Sequence, residues 1–253
     1  MNPTALALPE RATKPRNEGL TVVIDNGIPL SYFQDVVASM GSLVDIVKFG
    51  WGTSVVSDTL GQKICCLRDH HLDYYFGGTL FEKFLSQDKL EDYIAYCHRY
   101  ECRFVEISNG TIGLSNAAKA RLIKDFTSEF RVFSEVGYKD SKRTLEAAEW
   151  IEYIQQDLAA GAERVITEAR ESGTSGIFQH NGELRTSLIE EILDSGIPSN
   201  SIIFEAPNKA AQTYFIRRLG SNVNLANIAM HDIIPLETLR LGLRSDTLLA
   251  FDD

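Results

Sequence analysis

The stretch Val165–Gly176, with the sequence VITEARESGTSG, carries the pattern that decides the fold. Its apolar run ends at Glu168, Arg170 and Glu171 follow, and the chain then turns into a loop of small residues. A buried strand that stops in a carboxylate, a guanidinium and a flexible loop is typical of one wall of an active site. The alternative is a surface loop with a solvated cluster of charges.

Each polar group in this stretch has a defined binding chemistry. The Glu168 carboxylate can hold a divalent metal. Arg170 can grip a carboxylate or a phosphate with two parallel hydrogen bonds. The backbone N–H groups of the loop that begins at Ser172 can surround an anion. Taken together, these groups predict an anion-binding site, provided that the same pattern recurs elsewhere in the chain.

The pattern of an apolar run followed by an amphipathic helix does recur along the chain. Thr144–Ala160, for example, places Trp150, Ile154 and Leu158 on one helical face. Strands alternating with helices imply a parallel sheet with helices outside it. Eight such units in 253 residues fit a single (β/α)8 TIM barrel of the α/β class better than an open doubly wound sheet. The predicted strands are Leu20–Asp25, Val44–Phe49, Leu72–Phe76, Arg103–Ser108, Arg131–Val136, Glu163–Glu168, Ser201–Glu205 and Asn222–Leu225.

The composition narrows the class of protein further. We predict one barrel domain over residues 14–253, preceded by a flexible N-terminal arm of residues 1–13. No apolar run is long enough to span a bilayer, and the first residues lack the pattern of a secretory signal. A net charge of −10 with no basic run argues against nucleic acid as a partner. The four cysteines form no CxxC pair, so we expect reduced thiols in a cytoplasmic protein, and a homo-oligomer, as is common among barrel enzymes.

Four successive predicted strands, the fourth to the seventh, each place a glutamate near the C-terminal end. In such barrels the active site lies at that end of the strands. Four carboxylates packed together repel one another and raise one another's pKa values, and a divalent cation relieves this. Oxygen ligands without histidine favour Mg²⁺. The predicted ligands are Glu106, Glu135, Glu168 and Glu205; for any one of them the alternative is a salt bridge to a neighbouring strand.

Positive and polar side chains follow the same strand ends, and a metal beside cations suits a phosphorylated carboxylic acid. Lys139, just beyond the fifth strand, is the preferred general acid or base, although it could also be a solvated loop lysine. Lys48 is the second catalytic candidate, because a lysine in an apolar strand is costly to bury unless an anion meets it. The predicted substrate-binding residues are Asp25, Lys48, Gly78, Thr79, Arg170, Ser172, Lys209, Asn224 and Asn227.

Nine motifs in this order resemble the phosphosulfolactate synthase family. They are KPRNEGLTVVIDNG (14–27), KFGWGTS (48–54), GGTLFE (77–82), VEISNG (105–110), SEVGYKD (134–140), EARESG (168–173), IFEAPNK (203–209), NVNLANI (222–228) and LETLRLGLRSDT (236–247). The resemblance implies a (β/α)8 barrel that adds sulfite to phosphoenolpyruvate with Mg²⁺. The product would be (2R)-phospho-3-sulfolactate, in the first step of coenzyme M or related sulfonate biosynthesis. It also implies that sulfite attacks the methylene carbon and that an acid matching Lys139 protonates C2.

Two positions depart from the family pattern. Asn26 stands where the family often has lysine, and Tyr138-Lys139 stands where it often has two lysines. Loss of two cations would weaken phosphate or sulfite binding or indicate another nucleophile. The alternatives are therefore a related barrel enzyme with a different nucleophile or phospho-acid, and a non-catalytic homologue of the kind linked to heat tolerance in plants.

Overall fold

Eight short strands rich in Val, Ile and Phe form one parallel sheet in the computed structural model, which describes residues 4–139, 145–169, 176–179 and 183–251. The strands are β1 (Thr21–Asp25), β2 (Ile46–Phe49), β3 (Asp73–Phe76), β4 (Phe104–Ile107), β5 (Arg131–Val136), β6 (Arg164–Thr167), β7 (Ile202–Glu205) and β8 (Leu225–Ala229). Their order is β3-β2-β1-β8-β7-β6-β5-β4, so the pairing of β1 with β8 closes the circle except between β3 and β4. The predicted (β/α)8 barrel is confirmed.

The helices pack around the sheet and bury one apolar face each. In the described residues they are α1 (Leu30–Met40), α2 (Thr53–Val56), α3 (Leu60–Asp69), α4 (Gly78–Leu85), α5 (Leu90–Arg99), α6 (Asn116–Phe126), α7 (Ala147–Ala159), α8 (Thr186–Asp194), α9 (Lys209–Leu219) and α10 (Ile233–Arg240). Helix α7 begins with a capping box in which Glu146 and Glu149 each accept a backbone N–H, and it buries Trp150 and Ile154. Within the described part of the chain, no helix has the length and apolar character needed to cross a membrane.

The N-terminal half of the barrel is filled by large side chains that point inward. Tyr75 and Phe133 meet edge to face with ring centroids 5.6 Å apart, and Phe104 lies 4.9 Å from Phe133. These rings belong to a buried cluster separate from the layer between sheet and helices. These rings therefore fill the lower half of the barrel interior.

The last strand begins three residues later than the sequence predicted. Asn224, predicted inside this strand and in the substrate site, lies before it: its Oδ1 accepts from the Leu20 N–H at 3.0 Å, and its Nδ2 donates to the Ile202 carbonyl at 3.1 Å. Both partners lie where their own strands begin. Asn224 therefore fastens the N-terminal end of the barrel, and its predicted role in substrate binding is wrong.

The predicted N-terminal arm reaches the same end of the barrel. Arg11 donates to Glu237 Oε1 at 2.9 Å, to the Ser221 carbonyl at 2.9 Å and to the Gly19 carbonyl at 3.0 Å. The Ala12 N–H donates to Asn222 Oδ1 at 3.1 Å, and Asn222 Nδ2 donates to the Glu10 carbonyl at 2.9 Å. The last part of residues 1–13 is thus tied to the barrel by side-chain and backbone contacts. Flexibility of the remaining arm stays a prediction.

Candidate active site

A cavity of about 1,020 Å³ opens at the C-terminal end of the barrel. Parallel strands all end on this side, so the side chains at the ends of β2, β4, β5 and β7 converge here. The predicted residues that line the cavity are Lys48, Gly78, Thr79, Glu106, Glu135, Lys139, Glu168, Glu205 and Asn227. Arg170 and Ser172, also predicted here, lie outside the described residues.

Lys48 lies at the bottom of the cavity among three carboxylates. Its Nζ is 3.0 Å from Glu106 Oε2, 3.2 Å from Glu205 Oε1 and 3.7 Å from Glu135 Oε2. A buried ammonium is tolerated only when anions compensate for its lost hydration. The anions inferred from the sequence for Lys48 are therefore present.

Lys139 lies on the other side of the same carboxylates. Its Nζ is 3.0 Å from Glu135 Oε1, 3.7 Å from Glu168 Oε2 and 3.2 Å from Thr79 Oγ1. Only 22% of its side chain is exposed, so the alternative of a solvated loop lysine does not hold. Glu135 contacts both lysines and thus lies at the centre of the cluster.

Gly78 is required by packing inside the protein. Its N–H donates to Glu106 Oε1, and a Cβ at this position would collide with Ser108 Oγ and lie 2.9 Å from Glu106 Oε1. The side chains of Glu106 and Ser108 therefore fill the space beside Gly78 that the missing Cβ leaves. Gly78 orients Glu106 as well as lining the cavity.

The four carboxylates differ in how readily they ionise. Burial raises the pKa of Glu106. Burial, and next the charge of Glu135, raise the pKa of Glu168 well above its ordinary range. Burial also raises the pKa of Glu205 to about 7. Burial opposes ionisation of Glu135 as well, but Lys139 and Lys48 outweigh it and lower the pKa of Glu135 to about 2. Glu135 is thus the carboxylate that ionises most readily, and burial makes ionisation of the other three less favourable.

The donor set fits a divalent cation. Glu135, Glu168 and Glu205 are buried and each offers an oxygen within 4.8 Å of the others. Four ionised carboxylates and two ammonium groups leave two negative charges, which one divalent ion balances. Glu106 is not part of this set; its Oε1 accepts from the Gly78 N–H, and its Oε2 lies 3.0 Å from Lys48 Nζ. Buried carboxylate oxygens are ligands suited to Mg²⁺.

Two predicted substrate ligands have other partners. Asp25 is 1% exposed; its Oδ2 is 2.6 Å from Lys63 Nζ, and its Oδ1 accepts from the Gly27 and Ile28 N–H groups. Lys209 pairs with Asp246 at 2.7 Å and does not line the cavity. Asp25 therefore shapes the β1–α1 turn, Lys209 ties α9 to the C-terminal segment, and their predicted substrate contacts are corrected.

The Asp25–Lys63 pair gives a stability prediction. We expect Asp25→Asn to lower the free energy of unfolding by about 3 kcal/mol, because it leaves a buried ammonium without its counter-charge. Urea denaturation measures this, and Asp25→Asn/Lys63→Met is expected to recover most of the loss. A normal stability for the single variant together with lost turnover would return Asp25 to the substrate site.

Several residues around the cavity were missed by the sequence analysis. Trp51 lines its rim with φ of +51° and 52% exposure, and Thr111 lines it too. Glu82 of α4 accepts from Ser108 Oγ and from the Thr111 N–H, and so holds the loop after β4. In the sequence, Glu82 is recognisable only as a charged residue on the otherwise apolar face of a helix.

Asn227 reaches the cavity through a local irregularity of β8. The register between β1 and β8 shifts, and Asn227 has φ of +57°, a conformation that asparagine tolerates better than most residues. Its Oδ1 is buried and has no hydrogen-bond partner in the described part of the chain. The bulge therefore aims an amide into the cavity at the residue where the sequence predicted it.

The fold and the site together define a (β/α)8-barrel protein with a buried cluster of carboxylates and lysines at the catalytic end of the barrel. Residues 9–246 match the family described as (2R)-phospho-3-sulfolactate synthase (ComA), and the chain belongs to that enzyme family. The family predicted from the nine motifs is confirmed.

Individual relatives agree with this assignment. The chain is 52% identical over 249 residues to phosphosulfolactate synthase of Bacillus subtilis (strain 168), covering 98% of this chain and 99% of that protein. It is 41% identical over 254 residues to phosphosulfolactate synthase of Methanothermobacter thermautotrophicus, covering 98% of each. A crystal structure of 3-hexulose-6-phosphate synthase shares the fold alone, with a TM-score of 0.57, 13% identity and coverage of 87% of this chain and 99% of that chain.

Proposed function

We propose that this protein adds sulfite to phosphoenolpyruvate with Mg²⁺ and forms (2R)-phospho-3-sulfolactate, as a carbon–sulfur lyase. The observation that carries the proposal is the buried set Glu135, Glu168 and Glu205 next to Lys139 in a member of this family. Both substrates are anions, and the Lys139 ammonium together with a divalent cation held by these carboxylates would favour their binding in the cavity.

The reaction needs one new bond and one proton. The lone pair on the sulfur of sulfite forms the C–S bond to the methylene carbon, and the electrons of the double bond shift towards C2 and the carboxylate. Bound Mg²⁺, held by Glu135, Glu168 and Glu205, would supply positive charge to that carboxylate. The ammonium of Lys139 then gives its proton to C2 and becomes an amine.

The neighbours of Lys139 keep its side chain protonated and fix its position. Burial opposes its charge, but Glu135 and Glu168 more than compensate and raise its pKa above the ordinary range. Lys139 is therefore protonated at neutral pH. Thr79 and the two carboxylates hold its Nζ in one place, which favours proton transfer to a substrate bound above it.

A second candidate is a related reaction with another nucleophile or another phospho-acid. Its support is Asn26, which lines the cavity where the family resemblance suggests lysine. The intact carboxylate–lysine cluster weighs against a non-catalytic homologue. We also propose a cytoplasmic homo-oligomer that serves coenzyme M or related sulfonate synthesis, on the strength of the family resemblance.

The deciding experiment is incubation of the purified protein with phosphoenolpyruvate, sulfite and Mg²⁺, with and without a chelator, followed by mass spectrometry. A chelator-sensitive phosphosulfolactate signal supports reaction and metal together. Folded protein without product under these conditions rejects the proposal. Replacing sulfite by other nucleophiles and phosphoenolpyruvate by other phospho-acids then tests the second candidate.

The carboxylate pKa values predict how metal-free protein responds to pH. Between about pH 4.5 and pH 7 the folded protein holds a proton on Glu205 that the unfolded chain has lost, so stability falls as pH rises through this window. The raised pKa values of Glu106 and Glu168 also make stability fall as pH rises. The lowered pKa of Glu135 makes stability rise with pH, but only below this window. We expect the Tm without metal to fall from about pH 5 to about pH 8.

Thermal unfolding with and without Mg²⁺ measures this effect. Mg²⁺ is expected to raise the Tm more at the upper end of the range, because ionised carboxylates bind it. Glu205→Gln removes one titrating group and should flatten the metal-free profile. A metal-free Tm that rises over the same range would contradict the prediction.

A further inference from the structure

A second ion pair lies behind the site, between the sheet and the helices. Lys119 of α6 and Asp157 of α7 are both 0% exposed, and Lys119 Nζ is 2.7 Å from Asp157 Oδ2. Asp157 also accepts from Ser134 Oγ of β5 and, at 3.4 Å, from Asn116 Nδ2. The pair thus grips the outer face of β5, while the Glu135 side chain projects from the inner face.

Stability alone does not account for this pair. Two charges removed from water lose more hydration energy than their attraction commonly returns, and apolar replacements are often as stable. Burial lowers the pKa of Lys119 and raises the pKa of Asp157, so the surroundings disfavour both charges. An apolar side chain such as leucine could fill the position of Lys119 between the sheet and the helices without the cost of burying a charge.

What Lys119 contacts besides Asp157 explains its position. Its Nζ donates to the backbone carbonyl of Glu135 at 2.9 Å. The register between β4 and β5 ends at Ile107–Ser134, so the ladder to β4 stops one residue before Glu135. On its other side β5 still pairs with β6, at Glu135–Ile166 and Val136–Thr167. The Lys119 ammonium therefore binds the main chain of β5 at a residue that β6 alone holds in register.

A displacement of the Glu135 side chain would disturb several contacts of the site at once. It contacts Lys48 at 3.7 Å and Lys139 at 3.0 Å, and it is one of the three carboxylates whose oxygens lie within 4.8 Å of one another. A tilt of this residue moves it away from both lysines and from Glu168 and Glu205 together. Outer contacts that orient a ligand commonly change metal affinity 10- to 100-fold.

We infer that Lys119 and Asp157 are positioning residues that hold the Glu135 main chain so that its carboxylate completes the cation site; this rests on the proposed function. Lys119 makes the contact with the Glu135 carbonyl. Asp157 balances its charge and fixes the ammonium against β5 through Ser134.

The test compares two variants of the full chain by Mg²⁺ titration calorimetry. Asp157→Asn keeps Lys119 and its bond to Glu135 but leaves the ammonium unpaired. Lys119→Met/Asp157→Asn removes both charges and that bond. We expect the double variant to be the more stable of the two, yet to bind Mg²⁺ about 10-fold more weakly than the wild type. Its kcat should fall more than the KM for phosphoenolpyruvate rises.

The matched control is Arg16→Met/Asp45→Asn, which removes another buried pair, 2.8 Å long, at the opposite end of the barrel. It should lower the Tm and leave the Mg²⁺ affinity unchanged. Wild-type Mg²⁺ affinity in the folded Lys119→Met/Asp157→Asn protein overturns the inference, as does an equal loss of affinity in the control. If Lys119→Met/Asp157→Asn does not fold, Lys119→Gln/Asp157→Asn replaces it, and the same Mg²⁺ affinities support or overturn the inference.

The two proposals fail in different ways. Wild-type protein that binds no Mg²⁺ rejects the metal site of the proposed function, and the inference falls with it. Wild-type protein that binds Mg²⁺ with an affinity that the double variant shares rejects the inference alone.

Discussion

Glu135→Gln is expected to lower kcat/KM for phosphoenolpyruvate by about 10²–10³-fold, the loss typical when a preorganised electrostatic group is removed from an active site. The amide has the shape of the carboxylate but no charge. Glu135 is the carboxylate that contacts both Lys48 and Lys139, and its pKa of about 2 makes it the carboxylate of the cluster that ionises most readily. Glu168 and Glu205 ionise less readily than Glu135, because burial raises the pKa values of both.

Steady-state kinetics with varied Mg²⁺ separates the causes of this loss. We expect the Mg²⁺ concentration for half-maximal rate to rise as well, because one of three close carboxylates is gone. Glu163→Gln is the matched control: Glu163 pairs with Arg131 at the start of β6, at the other end of the barrel. Full activity of Glu135→Gln at ordinary Mg²⁺ would remove Glu135 from the site.

Lys139→Met is expected to lower kcat by about 10²–10⁴-fold, the range for loss of a general acid. Methionine keeps most of the length and apolar contacts of the side chain but carries no proton to give. Lys48 cannot substitute, because Glu106 and Glu205 surround it at the bottom of the cavity. Mg²⁺ binding should persist, since an ammonium that repels the cation has been removed.

The control for this variant is Lys209→Met. Lys209 was also predicted at the site, but its ammonium binds Asp246, so we expect near-normal turnover. Rapid-quench measurement of a single turnover gives the rate of the chemical step apart from product release. An unchanged rate for Lys139→Met, or an equal loss for Lys209→Met, would contradict the assignment of Lys139 as the acid.

The sequence by itself determined the barrel and the carboxylates that line the cavity at its C-terminal end. Strand and helix periodicities are local properties, so eight alternating units could be counted without a structure. Glu106, Glu135, Glu168 and Glu205 each lie at or near the C-terminal end of a predicted strand, and parallel strands must bring those ends together. The pairing of the carboxylates with Lys48 follows from the cost of burying any of these charges alone.

Only the tertiary structure decided which polar residues around these strands serve the fold. Asp25, Lys209 and Asn224 resemble site residues in the sequence, yet each finds a partner far along the chain: Lys63, Asp246 and Leu20. The last strand begins three residues later than predicted, so Asn224 lies at the N-terminal end of the barrel, opposite the cavity. Lys119 and Asp157 gave no signal, because a charge on a helix is ordinarily solvated. Their burial results from helix packing against β5, and no local pattern in the sequence encodes that contact.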